Sequence, residues 1–123
     1  MSFEVPESVR PIRERAQRFI EERIYPAEQV LEERDDDESR TTLRRLMQEA
    51  KDEGLWALGH PKEIGGQGMP FLDYVYVNEV IGRSELAQIC LGTHSLQDSI
   101  MLNLHASPEW RDRYLKPLVA GEI

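Results

Sequence analysis

The chain has 123 residues, 40% of them apolar and 31% charged, which suits one folded domain and leaves no room for two cofactor-binding halves. Fifteen Lys and Arg against 23 Asp and Glu give a net charge of −8, which repels phosphate backbones and anionic bilayers and argues against nucleic acid and membrane surfaces as partners. No apolar run approaches the roughly 20 residues of a membrane span, the first residues lack a basic-then-apolar leader, and Cys90 is the only cysteine, so a cytoplasmic protein without disulfides is expected.

Val9, Ile12, Ala16, Phe19 and Ile20 form one apolar stripe at helical spacing, with Arg10, Arg13, Glu14 and Arg18 over the other faces. Tyr25-Pro26 is expected to interrupt this first helix and bend the chain, because proline disfavours helical geometry in the residue before it. Residues 21–40 hold nine acids and three bases. Their core, Glu32 to Glu38, lacks the glycine and alternating spacing of a calcium loop and is read as a solvated junction between helices. Leu43, Leu46, Met47 and Ala50 make the next stripe, with Ser39, Thr41 and Thr42 as candidate caps and Gly54 as the stop.

From Leu55 to Pro70 the helical period vanishes, and six glycines and prolines punctuate a long loop. Pro70 is expected at the first position of a helix over Leu72 to Ile81 that is apolar nearly all round and therefore central and buried. A further continuous helix is expected from Leu86 to about Leu104. Ser107-Pro108-Glu109 then supplies a cap, a first-turn proline and an acid for a last helix that points Trp110, Tyr114, Leu115 and Leu118 inward and stops at Gly121. The fold class is all-α, a bundle of five or six helices.

Few residues carry chemistry of their own. Cys90 sits between Ile89 and Leu91 and reads as core filler rather than a nucleophile. His94 and His105 stand eleven residues apart, roughly 16 Å along a helix, too far to share a metal ion. His60 lies near Glu63 without a zinc-ligand pattern, so no metal site is expected. His94 and Asp98, one turn apart, read as a pair on the rim. Gly65-Gly66-Gln67-Gly68 has neither the glycine order of a dinucleotide loop nor the Lys-Ser/Thr of a triphosphate loop, and its expected role is to turn the backbone.

The order of these features nevertheless resembles a known family. The stretch Gly54 to Gly68 (GLWALGHPKEIGGQG), then Tyr74 to Glu79, Ile81-Gly82-Arg83, and the ending Tyr114-Leu115-x-x-Leu118-x-x-Gly121-Glu122 are similar to the N-terminal domain of the acyl-CoA dehydrogenases. The likeness runs over essentially the whole chain. Asn78 departs from it, standing where an acid is common before Glu79, as does Lys62 between the loop's proline and its acid.

The resemblance implies a subunit built of this helical domain, a β domain and a C-terminal four-helix bundle, with FAD lodged mainly between the last two. There a carboxylate takes the α proton of an acyl-CoA thioester while the flavin takes the β hydride. It implies that this chain ends before the β domain, holds no catalytic residue, cofactor or metal of its own, and is inactive alone. It also implies an acyl-CoA substrate, the rest of its own subunit and electron-transfer flavoprotein as partners, and a homo-oligomeric parent. Within the chain it assigns Gln88, Gly92, Ser95 and Leu96 to one wall of the acyl pocket. Their spacing of i, i+4, i+7 and i+8 would make one continuous face of the fifth helix, on which Gly92 leaves room for a long or branched acyl group. A stand-alone helical interaction module and a related flavin oxidase are the alternatives.

Overall fold

The computed structural model describes residues 3–32 and 36–123, and among them there are helices and loops and no strand. The all-α expectation holds, with six helical stretches.

The first begins as α1 (Arg10–Phe19), with Ala16 and Phe19 buried on the stripe that the sequence marks. It runs on through a π turn (Ile20–Ile24) and a 3-10 turn (Tyr25–Ala27) into α2 (Glu28–Glu32). The expected interruption at Tyr25-Pro26 is therefore corrected: Tyr25 stays right-handed helical at φ −55° and ψ −45°, and its N–H donates to Ile20 O, five residues back. The wider π turn followed by the tighter 3-10 turn carries the backbone past a residue that has no N–H to give.

Helix α3 (Asp37–Asp52) is capped by Asp36, whose carboxylate accepts from the Ser39 N–H at 2.6 Å. Ser39, Thr41 and Thr42 lie inside the helix, so the expected caps give way to an acid of the charged run. That choice has a physical reason, since Asp36, Asp37 and Glu38 all sit at the positive end of the helix dipole. The middle of the run, residues 33–35, lies outside the described residues. Gly54 ends the helix with φ +71°, as the sequence suggests.

Helix α4 (Phe71–Ile81) follows Pro70, which is its N-cap with an extended ψ of 139° rather than its first helical residue. Its carbonyl accepts from the Asp73 and Tyr74 N–H groups. The helix is two-faced: Tyr74, Val77, Val80 and Ile81 are buried, whereas Phe71 is 69% and Leu72 76% exposed. The expectation of burial all round is corrected accordingly. Helix α5 (Glu85–Cys90) starts at Ser84, whose hydroxyl accepts from the Ala87 N–H and donates to Glu28 of α2 at 2.7 Å.

The expected helix from Leu86 to Leu104 is broken. After α5 the chain passes through Gly92 at φ +73°, a 3-10 turn (Thr93–Ser95), and then α6 (Leu96–His105). Ser107 caps α7 (Pro108–Trp110) by accepting from the Trp110 N–H, a π turn (Arg111–Leu115) follows, and α8 (Lys116–Ala120) ends at Gly121 with φ +78°. Leu115 and Val119 turn inward. Trp110 does not; it is 55% exposed, edge-on to Tyr114 at 5.2 Å between ring centroids.

Helix α1 packs on α4, α2 on α3, and α3 on α5. Ile20, Ile24, Leu46, Leu55, Val77, Ile81 and Leu91 form the fully buried centre. Cys90 belongs to this core, and burial pushes its thiol up to about 12, which leaves it protonated and unreactive at neutral pH.

Candidate functional site

The loop after Gly54 is folded tightly onto itself. The Ala57 N–H donates to Leu91 O, Met69 N–H to Leu58 O, and the Gln67 amide holds both Gly54 O and Trp56 O. Trp56 is the pivot. Its indole N–H donates to Val119 O at 2.9 Å, and Lys51 lies over its ring at 4.7 Å while donating to Ala120 O at 2.7 Å. Together the two side chains satisfy carbonyls at the C-terminal end of α8 and tie the last helix to α3.

Gly92 and Gly121 pack against the same indole. A Cβ on Gly92 would stand 2.8 Å from the Trp56 ring, and one on Gly121 would stand 2.7 Å from it. Gly92 is therefore a left-handed turn residue seated on Trp56, not a gap in a helix face. Ser95 is buried as well, donating from its hydroxyl to Gly92 O at 3.3 Å and meeting His60 Nε2 at 3.0 Å. With the hydroxyl donating, Nε2 carries the His60 proton and donates to Oγ, which leaves Nδ1 as a buried acceptor with no protein partner among the described residues. Burial, and secondarily the nearby His94, hold the His60 pKa below its ordinary value and keep the ring neutral.

An open groove of about 530 Å³ lies between α4 and α6. Gln88 and Leu96 line it, together with Phe71, Tyr74, Asn78, Thr93, Gln97 and Ile100. Of the four residues that the resemblance assigns to a pocket wall, two face the groove and two, Gly92 and Ser95, stand behind it. The continuous face is not formed, because the left-handed Gly92 rotates the chain between α5 and α6. Periodicity missed Phe71, Tyr74, Asn78, Thr93 and Gln97. The one available signal was the density of apolar residues over 71–77, more than a single buried stripe requires. His94 also lies at the groove, but no bond joins it to Asp98 among the described residues.

A phosphate-bearing cofactor finds no cradle in the glycine-rich loop. The N–H groups of Gly65, Gly66, Gln67 and Gly68 are all spent on carbonyls of the same loop, at Lys62, Pro61, Ala57 and His60. Gly66 is present because a Cβ would meet His60 O at 2.2 Å. Turning the backbone is thus its role, as expected. Among the described residues no group of three or more His, Cys, Asp or Glu gathers at metal-binding distances, and no helix is long and apolar enough to cross a membrane.

The domain is all-helical, with one closed, glycine-packed loop and one open, partly apolar groove. Residues 6–122 match the family described as acyl-CoA dehydrogenase, N-terminal domain, and the chain belongs to that family. Benzylmalonyl-CoA dehydrogenase of Aromatoleum aromaticum is 25% identical over 99% of this chain and 31% of its own length. Acyl-CoA dehydrogenase family member 10 of Mus musculus is 30% identical over 94% of the chain and 12% of its own length. The very long-chain specific acyl-CoA dehydrogenase, mitochondrial, of Macaca fascicularis is 29% identical over 85% of the chain and 17% of its own length. The chain thus spans less than a third of these relatives. No solved structure gives a significant match.

Proposed function

We propose that this chain is the N-terminal domain of an FAD-dependent oxidoreductase that removes the α and β hydrogens of acyl-CoA thioesters, and that the groove between α4 and α6 is a wall of its acyl pocket. The observation that carries the proposal is the groove itself, where Phe71, Leu96 and Ile100 bring apolar surface to an opening that the domain does not close. Gln88 and Leu96 would touch the acyl group. Gly92 and Ser95 would act one layer back, fixing the turn that aims Leu96.

Because the glycine loop has no free N–H for a phosphate, the flavin contacts belong to the rest of the subunit, and the isolated chain binds no FAD and oxidises no acyl-CoA. The exposed apolar residues Phe71, Leu72, Met101, Leu104 and Trp110 fit cover by the remaining domains of the same subunit rather than by a separate partner. Electron-transfer flavoprotein is the proposed acceptor, in a homo-oligomeric parent. The lone buried thiol supports a reducing compartment such as the cytoplasm.

The test is direct. Equilibrium dialysis of residues 1–123 against FAD should show no stoichiometric uptake, while Leu96→Ala in the holoenzyme should raise KM for acyl-CoA. Tight flavin binding by the domain, or unchanged kinetics in the variant, overturns the proposal.

A further inference from the structure

The groove is more polar than an alkyl chain needs. Beside its apolar residues it presents Tyr74, Asn78, Gln88, Thr93, His94 and Gln97. Part of their capacity is already used. The Tyr74 hydroxyl donates to the Asn78 side-chain carbonyl at 3.2 Å, and the Thr93 hydroxyl donates to the backbone O of Gln88 at 3.2 Å. What is left is donor-rich, since the amide NH2 groups of Asn78, Gln88 and Gln97 have no protein partner among the described residues. A saturated hydrocarbon seated here would strip water from these amides and return nothing. An oxygen on the acyl tail would satisfy them.

The sign of the charge narrows the choice further. Neither Lys nor Arg lines the groove, where His94 is the one basic side chain, and the whole chain carries −8, so a carboxylate would find no ammonium or guanidinium to pair with. Resting on the proposed acyl-CoA dehydrogenase activity, we infer that the substrate is an acyl-CoA whose tail carries a neutral oxygen, a hydroxyl or a ketone, held by the free amides of Asn78, Gln88 and Gln97. The Tyr74 hydroxyl occupies the Asn78 side-chain carbonyl, which leaves the NH2 as the open group of that amide. Asn78 and Gln97 are exposed in this chain and Gln88 is half-buried, so the discrimination comes from the tail that covers them: an analogue lacking the oxygen would displace their water and return no bond.

The experiment compares kcat/KM of the holoenzyme for octanoyl-CoA, for its hydroxy and oxo derivatives substituted near the far end of the tail, and for the matching terminal carboxylate. The expected result is a preference of about tenfold or more for a hydroxy or oxo form over octanoyl-CoA. In Gln97→Leu, and independently in Gln88→Leu, the ratio of the two values should fall by about tenfold, with thermal melts confirming that each variant is folded. Equal rates on plain and oxygenated tails, a ratio that neither variant changes, or a preference for the carboxylate overturns this inference and leaves the dehydrogenase proposal standing. Failure to oxidise any of the four overturns both.

Discussion

The Trp56 bracket and the α4/α6 groove both meet the same short stretch, Gly92 to Leu96, and they are built in opposite ways. Around Trp56 the indole N–H, the Lys51 ammonium and the N–H groups of Gly65 to Gly68 all have partners, and two glycines stand where any Cβ would collide with the ring. In the groove, the Asn78 and Gln97 side chains are exposed, and so is the Phe71 ring. A domain that must hold one shape closes its own hydrogen bonds. A surface proposed to receive a ligand, like the groove, leaves its amides to solvent.

Substitutions should separate the two regions by size of effect. Trp56→Ala removes a large buried ring together with its bond to Val119 and should cost about 3–5 kcal/mol, read from denaturant midpoints of the chain. A loss below about 1 kcal/mol would mean that the bracket does not organise the domain.

Gly92→Leu comes next. It combines a left-handed backbone, poorly tolerated by residues with a Cβ, with overpacking against the indole, for an expected cost of about 2–4 kcal/mol. In the holoenzyme it should depress activity alike on short and long acyl-CoA, since the side chain would press on Trp56 and not on the acyl tail. Selective loss of long chains would return Gly92 to the pocket wall.

A smaller effect should appear with pH. The folded His60 has a lowered pKa, so below its ordinary value of 6.5 the unfolded chain binds the proton more readily, and stability should fall as pH drops through that value. Cys90 acts at the other end. Its folded pKa is raised to about 12, so stability should fall as pH rises above 9, where the unfolded thiol ionises first. His60→Gln should flatten the acid slope and Cys90→Ala the alkaline one in unfolding curves taken across pH; slopes that persist would assign them to other groups. Smallest of all, Gln97→Leu on the groove side should shift stability by no more than about 0.5 kcal/mol. A larger loss would show that the groove amide holds the fold rather than a ligand.

Much of the frame was legible beforehand because it depends on neighbours in sequence. The stripes of α1 and α3, the stop at Gly54, the Ser107-Pro108 start and the Gly121 end all follow from spacing and local backbone chemistry. Errors came where local rules competed. Pro26 argued for a break, but the cost of one missing N–H was absorbed by a π turn that keeps Ile24 in the core. Ser39 was a good cap in isolation, yet Asp36 offered a charge to the same dipole.

The candidate site was less legible. The resemblance assigned Gln88, Gly92, Ser95 and Leu96 to one wall, and their spacing agreed with one face only if Gly92 was helical. Nothing in the local sequence distinguishes a helical glycine from a left-handed one. The deciding contact was with Trp56, 36 residues away along the chain, whose ring fills the space where a Cβ would stand.

The sequence by itself determined that the protein is helical, where most helices begin and end, that Cys90 is inert, and, through the order of its motifs, its family. Those properties rest on short-range periodicity, capping and composition, which each residue carries with it. Only the tertiary structure decided that Gly92 and Ser95 stand behind the groove while Asn78 and Gln97 line it, and that Trp110 faces outward. The side on which a residue is buried depends on which distant surface reaches it first, and that is settled by the packing of the whole domain.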